Sequence, residues 1–203
     1  MSTTTRWTSR DLESLPDDGT RYEIIDGELY MSRQPHYYHQ YVCFELLLVL
    51  GNWNRTTKLG RVVATPGLIF AEDNDVVPDL VWISNGQLTQ SLESDGHLHS
   101  APELVIEVLS PGRANERRDR EAKLQLYSRR GVSEYWIADW QTRSIDLYRR
   151  KDRELELDKT LNETDMLSSP LLPGFSCPVS DVFSGVPKDG TQGDLDGSNA
   201  NRR

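Results

Sequence analysis

The chain has 203 residues, with 32 Asp and Glu against 23 Lys and Arg, for a formal net charge of −9. That length admits one α/β domain with a sizeable core and is too short for two ordinary ones. The acidity argues against broad, sequence-independent nucleic-acid binding, which depends on neutralising phosphates with Lys and Arg, but it leaves room for a local basic groove.

No stretch approaches the roughly 20 apolar residues of a membrane span. The opening MSTTTRWTSRDLESLP lacks an apolar h-region, so no secretory signal is read there. The two cysteines are Cys43 and Cys177. Cys43 falls inside a predicted buried helix, so a disulfide framework is not expected and the cytoplasm is the expected compartment.

Residues 1–20 read as a lead-in, with a turn of helix at Ser9–Ser14 and a turn at Pro16–Gly19. RYEIIDGELYMS (21–32) predicts a hairpin about Asp26-Gly27, a dipeptide that accepts the positive φ angles of a tight turn. A helix follows from about Tyr37 to Asn54, where Val42, Cys43, Leu46, Val49, Leu50 and Trp53 recur at helical spacing. RVVATPGLIFAED (61–73) predicts two extended pieces broken at Pro66-Gly67. VPDLVWIS (77–84) and PELVIEVLS (102–110) predict strands, and the polar segment 85–101 between them reads as a functional or mobile loop. NERRDREAKLQLYSRR (115–130) predicts a second long helix ended by Gly131. VSEYWIADW, RSIDLYRR and ELELDKTL predict three consecutive strands, and LLPGFSCPVSDVF a Pro-rich wrap with apolar anchors. Residues 21–186 are expected to form the single domain, and 187–203, rich in Gly, Asp, Ser and Asn, a disordered tail.

Three charged residues interrupt this pattern. In LVIEVLS, Val105, Glu107 and Leu109 share one face while Leu104, Ile106 and Val108 share the other. Both faces are apolar, as in a central strand covered on each side, so Glu107 is expected inside. Asp79 follows Pro78, which cannot donate to a ladder and confines this point to a strand start or an irregularity. On the following helix Asp119, Ala122, Lys123, Leu126 and Tyr127 form one stripe, which points Lys123 inward, with Asp119, Glu107 or Asp79 as its partners. Burying a charge costs several kcal/mol, on the order of 3–5, unless it is paired or binds a metal. Two hard carboxylates from neighbouring strands suit Mg²⁺ or Mn²⁺ better than zinc. Such a cation can activate water and neutralise phosphoryl charge, with the lysine orienting the water or stabilising the transition state.

The run Pro78-Asp79-Leu80, then Ala101-Pro102-Glu103-Leu104-Val105-Ile106-Glu107-Val108-Leu109-Ser110-Pro111, then Asp119, Lys123, Tyr127 and Gly131–Asp139, resembles the Uma-two family of bacterial restriction-endonuclease-like proteins in the PD-(D/E)XK nuclease superfamily. Tyr22–Leu29, His39 and Leu172-Pro173-Gly174-Phe175 add to the resemblance, which covers roughly residues 20–184. It implies a mixed central sheet flanked by helices, with additional antiparallel strands. It further implies a Mg²⁺- or Mn²⁺-dependent endonuclease acting on DNA, with Asp79 and Glu107 as metal ligands and catalytic residues, and Lys123 as the third catalytic residue. The superfamily's usual lysine would fall on Leu109; the resemblance places its role on Lys123 of the following helix. Nucleases of this superfamily often pair to cut both strands, so a homodimer is expected, although the sequence shows no interface.

Other polar groups carry two readings. His39 is either a core or capping histidine or part of the site, with the first favoured. Glu23 either lines the site from the hairpin or faces solvent. Trp136 and Asp139 read as packing and turn residues. Arg113, Arg117, Arg118, Arg120, Arg129 and Arg130 form either a basic approach or a solvated helix face laced with Glu116, Asp119 and Glu121. The negative charge and the missing lysine at position 109 keep open a catalytically inactive nuclease fold that binds nucleic acid or a protein partner. A structural role through an exposed edge at ELELDKTL has the least support.

Overall fold

The strand LVIEV is apolar on both faces and needs cover on both sides; the rest of the chain supplies it. The computed structural model describes residues 6–32 and 34–188, so the expected disorder from residue 189 onward lies outside the described residues. After the single turn α1 (Ser9–Leu12), β1 (Arg21–Ile25) and β2 (Glu28–Ser32) form the expected hairpin. Asp26 and Gly27 both take positive φ, 52° and 77°, which is the turn that DG supplies cheaply. α2 (Tyr37–Thr57) is capped by His36, whose Nδ1 accepts from the Tyr38 amide, and ends at the left-handed Lys58.

β3 (Gly60–Ala64), β4 (Leu68–Ala71), β5 (Asn74–Val76), β6 (Leu80–Ser84), β7 (Leu104–Val108), β8 (Glu134–Asp139), β9 (Ser144–Lys151) and β10 (Glu154–Leu161) come next. The main sheet runs β10-β9-β8-β7-β6-β3, and a smaller antiparallel one runs β2-β1-β5-β4. In the main sheet only β7 and β8 pair in parallel, so the sheet is mixed. A parallel pair needs a crossover, and the second long helix provides it. This helix comprises α4 (Arg113–Arg117), a π-helical turn (Arg118–Lys123) and α5 (Leu124–Arg130), and it stops at Gly131, φ 94°. The chain ends in β11 (Met166–Ser168), β12 (Ser176–Pro178) and α6 (Val179–Val182).

One face of the main sheet packs under α2 and the C-terminal wrap, burying Val42, Leu46, Leu50, Leu104, Ile106, Val108, Trp136, Leu172, Phe175 and Phe183. The other face packs under α5 and the small sheet, burying Val81, Ile83, Val105, Leu109, Ile137, Leu126, Tyr127, Ile25 and Val76. Each fully buried Leu, Ile, Val or Phe contributes about 1.5–3 kcal/mol. Leu109, where a nuclease lysine would stand, is one of these core residues.

Two expectations change. The segment 85–101 is not wholly loop: α3 (Asn85–Ser91) opens on Ser84, whose Oγ accepts from the Gln87 amide, and bridges at Leu92, Leu98 and Leu68 pin the chain beyond the helix. With few apolar residues in NGQLTQS, the cap sets this helix and periodicity does not reveal it. The strand expected from residue 77 begins only at Leu80, because Pro78 withholds a ladder donor.

Gly60 heads β3 where a Cβ would lie 2.2 Å from the Ile83 carbonyl oxygen and 2.9 Å from the Trp82 ring. Gly60→Ala is therefore expected to destabilise the fold by about 1–3 kcal/mol through overpacking. Gly51→Ala, in open space within α2, is expected to be neutral or stabilising. Urea midpoints measure both.

Candidate active site

The register of β6 against β7 pairs Leu80 with Ile106, and one step further sets Asp79 across from Glu107. Asp79 lies just off the ladder, so its carboxylate turns back on the neighbouring strand: Oδ2 accepts from the Val108 amide at 2.9 Å. His39 of α2 brings Nε2 to 3.2 Å from the same oxygen, and Arg21 approaches Oδ1 at 3.5 Å. Glu107 turns toward the crossover helix. Its Oε1 accepts from Lys123 Nζ at 2.9 Å and from the Tyr127 hydroxyl at 3.0 Å. Glu107 and Lys123 thus meet directly and Asp79 lies across the strand pair from Glu107, with Asp79, Glu107 and Lys123 only 6%, 2% and 1% exposed.

Lys123 has a second partner. Glu23 of β1 lies 2.8 Å from its Nζ, accepts from the Val77 amide at 2.8 Å, and is buried. The solvent-facing reading of Glu23 is therefore overturned. The signal was present: Glu23 shares a strand face with the core residue Ile25, the same anomaly that marked Glu107. Arg118 was not foreseen as a site residue. An ideal helix would leave it off the inward stripe, but the π-helical turn shifts the phase so that Arg118, Asp119 and Lys123 are all buried. Arg118 holds Asp119 through Nε and Nη2, donates to Ser32 Oγ at 2.7 Å, and comes within 3.8 Å of Glu23.

Electrostatics follow from burial. Desolvation pushes the Glu107 carboxyl well above the ordinary carboxylate range; Lys123 opposes this, while Asp79, Asp119 and Glu23 reinforce it. Burial would raise Asp79 too, but His39, the Val108 amide and Lys123 together hold it below its usual value. Burial alone would lower Lys123, yet Glu107, Glu23 and Asp119 outweigh that and keep it firmly charged.

The donor set suits a hard cation. Both hydrogen bonds to Glu107 end on Oε1, and the Val108 bond to Asp79 ends on Oδ2, so each acid keeps one oxygen without a hydrogen bond among the described residues. Four acids, Glu23, Asp79, Glu107 and Asp119, face the permanent cations Arg21, Lys123 and Arg118, which leaves a surplus negative charge when all are ionised. Just past β7 opens a polar pocket of about 210 Å³, lined by Ser32, Gln34, His36, Ser110, Pro111 and Asn115. A larger groove of about 400 Å³ beside Phe44, Leu48 and Arg61 contains none of the acids.

The arginine-rich helix does not present a continuous basic approach. Arg117 pairs with Glu121, Arg120 with Asp146, and Arg129 with Asp26, while Arg130 lies over the Phe70 ring. Trp136 is packed in the core, and Asp139 caps the following turn through the Gln141 and Thr142 amides.

A mixed sheet with paired acids at the meeting of two strands is the restriction-endonuclease-like fold. The chain belongs to the Uma2 family, described as "Putative restriction endonuclease", whose signature matches residues 9–180. Its fold is similar to that of "a putative nuclease belonging to DUF820" from Anabaena variabilis, with a TM-score of 0.70 and 19% identity, covering 89% of this chain and 99% of that one. A weaker likeness, TM-score 0.40 and 16% identity, links 76% of this chain to 17% of the type IIG restriction endonuclease BpuSI. No curated protein matches the chain. Among the described residues no helix is long and apolar enough to cross a membrane.

Replacing Lys123 tests the electrostatics. Lys123→Met is expected to cost about 3–5 kcal/mol at neutral pH, because Glu23 and Glu107 lose their buried cation. With its pKa raised above 4.5 in the fold, Glu107 keeps a proton that the unfolded chain releases, so metal-free stability falls as pH rises from 4.5 toward the raised value. Loss of Lys123 raises that value further and extends the decline. Denaturation in EDTA at pH 5 and pH 8 should show the larger deficit at pH 8; equal deficits would refute the assignment.

Proposed function

We propose that this protein is a metal-dependent endonuclease hydrolysing DNA phosphodiester bonds, with residues 21–186 as its nuclease domain. Asp79 and Glu107 would hold Mg²⁺ or Mn²⁺, and Lys123 serves the reaction from behind Glu107. The observation that carries this reading is a lysine buried between Glu107 and Glu23, with Asp79 set across from Glu107 on the neighbouring strand. Membership of a family described as "Putative restriction endonuclease" supports the nuclease class and, with it, DNA as the substrate.

The cation supplies an activated water and neutralises phosphoryl charge. The chain's own residues do the rest. The Val108 amide and His39 fix the Asp79 carboxylate, so it needs little reorganisation to bind. Lys123 and Tyr127 orient Glu107, and the Lys123 charge favours the ionised carboxylate that a cation requires. The water oxygen bonds to phosphorus as the ester P–O bond breaks, and the proton the water gives up to solvent is balanced by the one the leaving oxygen takes from it.

One observation favours a second reading, an inactive nuclease fold that binds nucleic acid or a protein through the same cleft. Arg117, Arg120 and Arg129 are occupied by protein acids, and Leu109 fills the usual lysine position with a core side chain. Mg²⁺ titration calorimetry separates the two. Binding that disappears in Asp79→Asn and Glu107→Gln supports the enzyme; no site-dependent heat supports the binder. In a plasmid-nicking assay with Mg²⁺ or Mn²⁺, each variant is expected to lose about 10²–10³-fold in rate while keeping its circular-dichroism spectrum. Nicking at the wild-type rate by both variants would sink the enzymatic reading.

A further inference from the structure

Cys43 takes no part in the reaction just described, yet it stands at the site. His39 and Cys43 are four residues apart on α2, so they lie on one face, one turn above the other. His39 Nδ1 is 3.7 Å from Cys43 Sγ, and its Nε2 is 3.2 Å from Asp79 Oδ2. One donor atom from each of the three residues falls within 4.8 Å of the others. We propose that His39, Cys43 and Asp79 form a mixed nitrogen, sulfur and oxygen site for a thiophilic divalent cation, Zn²⁺ foremost, which competes with the hard cation of Asp79 and Glu107.

The geometry is near what zinc needs. Bonds of about 2.3 Å to sulfur and about 2.0–2.2 Å to nitrogen and oxygen give tetrahedral ligand edges of roughly 3.5 Å. One nitrogen of His39, Cys43 Sγ and one Asp79 oxygen, now within 4.8 Å of one another, reach that by closing about 1 Å on a common centre. The donor chemistry discriminates as well. Magnesium demands a near-octahedral oxygen set and gains nothing from a thiolate, whereas imidazole, thiolate and carboxylate together are a zinc set with a fourth position left for water.

The order Cys43, His39, Asp79 also has the form of a thiol nucleophile with its base and orienting acid, but the environment rules that reading out. Burial, then the charges of Asp79 and Glu107, push the Cys43 thiol far up, so it stays protonated and inert toward carbonyl or phosphoryl groups. A bound cation is what removes that proton, since a coordinated thiol is deprotonated outright. Because Asp79 is common to both sites, zinc on His39 and Cys43 withdraws a ligand from the hard ion. Zinc is thus an antagonist of the Mg²⁺ site. The inference shares Asp79 with the nuclease reading, and the test keeps the two apart.

The test is Co²⁺ titration of the full, reduced chain, followed by its absorption spectrum, with Zn²⁺ competition for affinity. The expected result is a thiolate-to-cobalt charge-transfer band that is present in wild type and Cys177→Ser and absent in Cys43→Ser. Zn²⁺ affinity is expected to fall about 100-fold in Cys43→Ser, while Mg²⁺ binding by calorimetry is unchanged. Cys43→Ala repeats the test should the serine variant fold poorly. Glu107→Gln is expected to lose Mg²⁺ binding and keep the cobalt band, so failure of the nuclease reading leaves this result standing. A wild-type spectrum without the thiolate band, or a band that survives loss of Cys43, overturns the proposal.

Discussion

The buried ammonium of Lys123, held between Glu107 and Glu23, ties the main sheet, the small sheet and the crossover helix to one point. Each of those elements brings a charged group that could not remain in the interior alone, since an unpaired buried charge shifts its pKa or unfolds its surroundings. Glu107 belongs to β7, Glu23 to β1 and Lys123 to the π-helical turn, so the three ends of the fold must meet for any of them to be satisfied. Arg118 extends the arrangement by clamping Asp119 and reaching Ser32 at the end of β2. The cluster contributes little net stability by comparison with an apolar core of equal volume, but it makes wrong arrangements expensive.

The backbone turns this cluster into a site through two departures from regular structure. Pro78 delays β6 until Leu80, which leaves Asp79 beside β7 but free of the ladder, and its carboxylate takes the Val108 amide. The π-helical turn rotates Arg118 into the interior without moving Leu126 and Tyr127 out of it. A regular strand and a regular helix would each have buried one fewer polar group. Irregularities of this kind cost free energy and persist where the surrounding structure determines them. The result is a site at the seam of β6 and β7, with Asp79 bonded toward α2 and Glu107 toward the crossover helix. That division is why the histidine and thiol of α2 gather on one acid, and the lysine and tyrosine on the other.

Much of this was legible in residue patterns because the driving force is local. DG between extended runs, helical spacing in α2, alternation in LVIEV and Gly131 after SRR each encode their element through torsional preference or amphipathic period. Asp79, Glu107 and Lys123 stood out for a related reason: a charge within an apolar repeat has few ways to be satisfied. Glu23 carried the same mark more faintly, on a strand only five residues long whose first two residues are half-buried. The helix α3 was hidden because a serine cap, and not an apolar repeat, starts it. Arg118 was hidden because a phase shift in a helix leaves no trace in a spacing rule that assumes 3.6 residues per turn.

By itself, then, the amino-acid sequence determined the elements, the two-sided burial of β7, the three anomalous charges and the family to which they belong. It did so because short-range preferences and hydrophobic period depend only on near neighbours in the chain. The tertiary structure alone decided which buried charge met which. Glu23 found Lys123, Arg118 reached Ser32, Arg120 and Arg129 were spent on Asp146 and Asp26, and His39 closed on Asp79. Those partners come from elements far apart in sequence, and charges pair by distance in space, a quantity that strand register and helix phase set only when the whole fold is assembled.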